Sequence, residues 1–489
     1  MEKLGRCRRA RKIIHDRLAG KNGGWYWGLI AVIGCGVLAG IMLFAAPVIG
    51  VADDGTLSKV MQGVGLAYPE GITANSDYFQ RFYVWQTELG TGYHSLQTGV
   101  IWVAKMLGRL VTDGWSFDIR FLGFLYLLLF LPALCILVKA ATDRLATFGQ
   151  KLVPTILAVL MFADVGYLTY FNSFYPEALI LICLMYMAGA AMNLQKKSRY
   201  EFLWLLLFAV SGMLLCFVRR YCLLAGLVGS VFCLAQLYRQ PDYGKRIGVV
   251  LMAAMMVAAS FTSLFWMESD FHDTDRFHAM SRGVLMGSQN PEETLAEFGI
   301  DPSYSLLTDV SAYEPFPVTT GNGQSLSEGF LDHYTPWDIT AYYARHPAQM
   351  VSMVDAAVKT NLEVRRESCG NYEVSAGRPA GGKSVFWSAY TIFKNRSAPK
   401  TIGYLAVLVI VSVALTAGGF SLKKEQNRKN TIYLECVATL AFLTVLQTCL
   451  VIVESGTPAL LQYNGQLGIV LDILLYFTVT EIIGRLNIL

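Results

Sequence analysis

Charge is scarce in this chain. Only 16% of its 489 residues are Asp, Glu, Lys or Arg, against about 25% in an ordinary soluble domain. Together with a hydrophobic share of 54%, this shortage excludes a plain water-soluble fold and implies a polytopic membrane protein. The ten cysteines make no framework. Cys35, Cys135, Cys183, Cys216, Cys222, Cys233, Cys436 and Cys449 lie in or beside apolar segments, where cysteine acts as a small hydrophobe. Cys7 is in a basic N-terminus, and Cys369 sits in a polar region without a disulfide partner. No pair has metal-ligand spacing, so a zinc site has no support. There is no Walker loop, no GxGxxG before a strand, no HExxH and no GxSxG, so nucleotide use at the cytoplasmic face has no support either. Internal repeats and low-complexity tracts are missing as well. The net charge of +4 is small, and nothing in it suggests nucleic acid as a partner.

What the chain has in plenty is apolar runs of spanning length. Ten are expected to be helices: 27–47, 119–139, 152–171, 176–194, 201–218, 220–238, 247–267, 401–421, 431–453 and 465–484. The first follows "RCRRARKIIHDR" and reads as an uncleaved membrane helix rather than a signal peptide. Segment 96–111 is apolar but interrupted by Lys105 and Arg109. It is expected to lie on the membrane surface.

The basic residues decide the orientation. The N-terminus, Lys139/Arg144/Lys151, "QKKSR" at 195–199, "RQPDYGKR" at 239–246 and "KKEQNRK" at 423–429 all fall on one side. By the positive-inside rule that side is the cytoplasm. Both termini are then cytoplasmic, in the plasma membrane. The expected division is an N-terminal transmembrane module, 1–267, with a first external loop at 48–118. An external domain follows at 268–400, and C-terminal helices at 401–489.

Three polar groups interrupt the apolar background at the outer ends of helices. "FADVGYLTYFNSFYPEA" turns the chain with Asp164, Tyr167, Asn172, Tyr175 and Glu177. A charge at mid-membrane depth costs about 2.5–3.5 kcal/mol on insertion scales. A carboxylate here therefore suggests either a wet cavity or an interfacial hairpin tip. Arg219-Arg220 and Tyr221 separate two apolar runs with almost no loop, on the side where basic residues are otherwise rare. Two guanidiniums there suit a phosphate, or snorkel to headgroups. "GVADDGTLSKV" places Asp53, Asp54 and Lys59 just after the first helix; D-D-G is also a common turn. A reaction on a lipid phosphate at the membrane surface needs such groups. A carboxylate takes the acceptor proton, and cations stabilise the departing phosphate. Asp53, Asp164 and Glu177 are also candidate oxygen ligands for a divalent ion such as Mg or Mn.

These stretches resemble the membrane glycosyltransferases of the GT-C fold, and more narrowly the WsfD-type glycan biosynthesis hexosyltransferases of bacteria. The matching segments are "PVIGVADDGTLSKVMQGVGL", "FDIRFLGFLYLLLFL", "FADVGYLTYFNSFYPEA", "FHAMSRGVLMGSQNPEETLAEFGIDPSY" and "CGNYEVSAGRPAGGKSVFWS". They run in order over most of the chain. The resemblance implies a polyprenyl-phosphate sugar donor and a glycan or lipid-linked acceptor outside the cytoplasm. It also implies inversion at the anomeric carbon, with a base in the first external loop. Where the family reads D-N-G-D, this chain has Asp53-Asp54-Gly55-Thr56. Asp53 and Asp54 both remain candidates for that base. The family's hairpin pattern matches Asp164, Tyr167, Asn172 and Glu177. A flippase for a lipid-linked sugar, or a glycan polymerase or ligase, is the competing reading. The lack of repeats, the clustering of charges at outer helix ends and the large external region speak against a transporter.

Overall fold

The computed structural model describes residues 23–53, 57–86, 94–111, 116–195, 198–267, 272–310, 326–361, 365, 369–417, 425–456 and 466–486. The helices that build the bundle and the site are α1 (Gly23–Leu43), α2 (Leu96–Val111), α3 (Arg120–Thr142), α4 (Phe148–Phe162), α5 (Glu177–Asn193), α6 (Glu201–Cys216), α7 (Leu223–Ala235), α8 (Tyr243–Trp266), α9 (His272–His278), α10 (Ala389–Ser397), α11 (Ile402–Ala417), α12 (Glu425–Ser455) and α13 (Gln466–Arg485).

The chain is an all-α, multi-pass membrane protein. Among the described residues, α1, α3, α8 and α13 are long and apolar enough to cross a bilayer, as are Arg220–Arg239 around α7 and Arg428–Ser455 within α12. Two further spans qualify only as bent pairs. In one, α4 is followed by Val165–Asn172 at 48°, and in the other α10 is followed by Ile402–Leu415 at 109°. The apolar helices α5 and α6 are shorter. Each apolar run read from the sequence coincides with one of these elements.

Helix α2 is different. It buries Gln97, Ile101, Ala104, Lys105 and Gly108 on one face and exposes Trp102, Val103 and Leu110 on the other. That is the pattern of a helix lying on a surface, as its sequence suggests. The Lys105 amine donates to the carbonyls of Val64 (2.8 Å) and Gly65 (3.0 Å) and lies 4.2 Å from the centre of the Trp85 ring. Desolvation lowers its pKa.

Two small sheets stand at one end of the bundle. Strand β1 (Ile49–Val51) leaves α1. Strands β2 (Leu66–Ala67), β3 (Phe82–Trp85) and β4 (Ser116–Asp118) form an antiparallel sheet within the first loop. Strand β5 (Cys369–Tyr372) pairs antiparallel with β1, Ile49 opposite Tyr372 and Val51 opposite Cys369. Asn371 Nδ2 donates to the Asp77 carbonyl at 2.8 Å, so the two loop regions are stitched together. Cys369 is fully buried.

At the opposite end the basic loops gather. Arg144 bonds Gln195 and Glu481, Arg428 bonds the Leu194 carbonyl and Glu201, and Arg239 lies 2.7 Å from Glu435. The ends of α3, α5, α12 and α13 thus share one face of the bundle.

Candidate functional site

Asp53 follows β1 and is only 5% exposed. Its Oδ1 accepts from the Leu57 amide at 3.3 Å, and its Oδ2 accepts from the Tyr68 hydroxyl. Tyr68 packs on Tyr83 at 5.7 Å between ring centres, and Tyr83 on Phe174 at 4.8 Å. Burial, the neighbouring Tyr83 and the bond to Asp53 push the Tyr68 hydroxyl well above the usual phenol range, and the Tyr175 ring adds to this. Burial and the Asp53 charge do the same to Tyr83. Tyr68 and Tyr83 therefore stay protonated, Tyr68 donating to Asp53 and Tyr83 to the Gln80 carbonyl at 3.1 Å.

Asn172 brings the hairpin to this point. Its Nδ2 donates to the carbonyls of Leu43 (3.1 Å) and Ile49 (3.0 Å). The end of α1 and the strand before Asp53 are thereby held against the turn. The approach is close. A Cβ on Gly50 would lie 2.7 Å from the Asn172 carbonyl oxygen.

Asp164 is not at a solvated tip and does not line a wet cavity. It is fully buried and caps the turn Val165–Leu168, accepting from Gly166 N at 2.9 Å. It also accepts from the Thr391 amide at 3.1 Å and from the Thr391 hydroxyl. Tyr167 donates to Asp472 of α13, which pairs with Lys394 of α10. Val165 N donates to the Trp387 carbonyl at 3.1 Å. Asp164 and Tyr167 are thus spent on docking α10. Helix α10, which lies in the stretch expected from the sequence to be external, is joined to α13 by the Lys394–Asp472 pair.

Glu177 opens α5 as expected and is 4% exposed. Its charge is felt by Tyr126 and by Cys222, and the latter also feels Arg219. The α2 terminus fills the space beside it. Gln97 donates to the Phe174 carbonyl, and Leu96 N donates to the Phe217 carbonyl at 2.7 Å. Arg219, Arg220 and Tyr221 occupy the break between α6 and α7. Tyr221 bonds Asp275 at 3.4 Å and also Ser455, while Arg220 Nε lies 3.8 Å from Glu454.

The hairpin thus stands between two polar groups, the tyrosine-ringed Asp53 and the arginine break. Asp54 lies outside the described residues, as does the side chain of Lys59. Asp53, Asp164 and Glu177 do not converge. Among the described residues no group of three or more His, Cys, Asp or Glu is arranged to hold a metal ion. Asp53, Asp164 and Glu177 thus form no such three-acid group, and no step is assigned to a divalent cation.

The model of the family described as YfdI N-terminal transmembrane domain matches residues 18–488. The chain belongs to that family. No curated protein and no solved structure matches it. In this YfdI-type domain, several polar residues of the site escaped sequence reading. Tyr68 and Tyr83 carry no local signal. Asp472 does carry one, as a carboxylate inside the apolar run 465–484, where an ionisable residue implies a partner. His94 is another. It stacks on Trp266 at 6.2 Å, beside the Phe217 ring.

Proposed function

We propose that the protein is a membrane glycosyltransferase that moves a hexose from a polyprenyl-phosphate donor to a glycan or lipid-linked acceptor outside the cytoplasm. The observation that carries this reading is Asp53. It is a buried carboxylate in the loop that follows a membrane helix, hydrogen-bonded by Tyr68 and close enough for its charge to act on Tyr83. A positioned carboxylate of this kind suits a general base. The acceptor oxygen attacks the anomeric carbon and gives its proton to Asp53. The bond from that carbon to the phosphate oxygen breaks on the opposite face, and the electron pair leaves with the phosphate. Inversion follows. Arg219 and Arg220 match the departing group, because a phosphodiester donor carries one negative charge and the released monoester up to two. The tyrosine rings offer both stacking faces and hydroxyl donors to a sugar. Membership of a YfdI family and the likeness to WsfD-type hexosyltransferases favour the same chemistry in a bacterial plasma membrane, with the site facing outward.

The test uses the purified chain in proteoliposomes with a radiolabelled polyprenyl-phosphate hexose and an acceptor extract. Label transferred to the acceptor supports the reading. Label that crosses the bilayer still attached to its lipid would identify a flippase instead.

A further inference from the structure

The arginine break is already occupied by acids. Two guanidiniums, Arg219 and Arg220, face two carboxylates brought from elsewhere in the chain. Asp275 comes from α9 and Glu454 from the last turn of α12. Arg220 Nε lies 3.8 Å from Glu454 Oε1. Tyr221 ties the group together, donating to Asp275 Oδ2 at 3.4 Å and bonding Ser455 Oγ. Asp275 feels Arg219, Glu454, Tyr221 and Arg220 at once. The other charges nearby are turned away. Arg276 donates to the carbonyls of Leu331 and Tyr334 and lies 3.9 Å from Asp273. Arg282 pairs with Asp309 at 3.4 Å, and burial, helped by the Arg282 charge, holds His278 down to about 4, so that His278 is neutral. Cys222 feels both Arg219 and Glu177.

Two carboxylates on two arginines make the local charge close to zero. An anion entering the break must replace them. We propose that Asp275 and Glu454 are the resting counter-ions of the arginine pair, and that the donor phosphate binds by exchanging for them. This rests on the arginines being the phosphate-binding groups. The exchange guards the site: with no donor bound, the arginines are neutralised by the protein itself. It also links the donor to both external helix α9 and membrane helix α12, since its arrival frees a carboxylate on each.

A pH dependence follows. Burial lifts the Asp275 carboxyl to about 6, in spite of the two arginines. Below that pH the acid is neutral and competes less; above it the acid is ionised and holds the arginines. A phosphodiester keeps one negative charge throughout this range. Donor affinity should therefore fall as pH rises through about 6.

The probe is farnesyl methyl phosphate, a lipid phosphodiester, titrated onto the full chain in detergent. Wild-type affinity is expected to fall about tenfold from pH 5 to pH 7.5. Asp275→Asn should bind about tenfold tighter than wild type at pH 7.5 and lose the pH dependence. Glu454→Gln should also tighten binding while keeping the dependence. Weaker binding by either variant would show that the acids hold the arginines in place for the phosphate, and would overturn the proposal. So would a flat wild-type profile, a measurement that needs no variant to fold. If phosphatidylglycerol displaces the probe as effectively as unlabelled probe, the break is a headgroup anchor and the proposal fails. The double variant Arg219→Gln/Arg220→Gln separates the two levels. Unchanged probe binding there sinks the reading of the arginines. Lost binding there, with no tightening in the acid variants, sinks only the exchange.

Discussion

Lys394 of α10 and Asp472 of α13 form an ion pair in which the side chains are only 4% and 1% exposed. Tyr167 of the hairpin bonds the same carboxylate. Three parts of the chain more than 70 residues apart thus meet at one buried charge. Breaking a buried pair by removing one partner typically costs about 3–5 kcal/mol, whereas replacing both by apolar groups is often neutral. Lys394→Met should therefore lower the stability of the purified protein by roughly that amount. Lys394→Met/Asp472→Leu should recover most of it. Thermal or denaturant unfolding in detergent checks the cycle; additive losses would show that the pair does not hold α10 in place.

Tyr68 acts on Asp53 through one hydrogen bond, so its removal should be felt in the chemistry. A hydrogen bond to a charged group contributes about 1.5–3 kcal/mol. Tyr68→Phe should reduce kcat by about 10- to 100-fold, with donor KM within twofold. A raised KM with unchanged kcat would place Tyr68 in substrate binding rather than in the positioning of the base.

Gly50 has no room for a side chain. A Cβ there would lie 2.7 Å from the Asn172 carbonyl and run into the Phe79 ring. Overpacking of this kind costs about 1–3 kcal/mol. Gly50→Ala should lower both the melting temperature and the transfer rate, although it touches no substrate. Gly40→Ala, which meets nothing within 4 Å, is the neutral control. Equal behaviour of the two variants would mean that the hairpin is not clamped onto β1.

These three tests concern features that differ in how far they were legible in the sequence. The ten apolar runs were plain because length and hydropathy are local properties, carried by each run alone; among the described residues six of the helices they form are long enough to span, or eight with the two bent pairs. The one-sided packing of α2 was hinted at in the same way, since Lys105 and Arg109 interrupt its apolar run. The hairpin and the first loop stood out as polar islands, and Asn172 shows that they meet. The roles inside the hairpin were not legible. Asp164 looks like a site acid until its partner is known, and that partner, Thr391, lies 227 residues away. Tyr68, Asp275 and Glu454 were missed because each is ordinary where it stands and gains meaning only from a distant neighbour. The 109° bend at α10 was hidden as well, since a short helix ending in "FKNRS" has no spanning signature.

The topology makes its own prediction. The basic ends of α3, α5 and α12 share one face, and the candidate site lies at the other. With the basic face in the cytoplasm, a cysteine at Leu306 should react with a membrane-impermeant maleimide added to intact cells, and one at Tyr243 should not. Both positions are exposed, at 66% and 78%. The opposite labelling would put the site in the cytoplasm and remove the polyprenyl-phosphate donor from the account.

The base is the centre of the account, and sugar transfer by two single variants tests it most directly. Asp53→Asn is nearly isosteric and still accepts hydrogen bonds from Tyr68 and Leu57. With a labelled polyprenyl-phosphate hexose, it should fold as wild type and transfer about 10²–10⁴-fold more slowly, the usual cost of losing a positioned base. Asp54→Asn should lose much less. Wild-type transfer by Asp53→Asn, whether or not Asp54→Asn is inactive, would contradict the assignment.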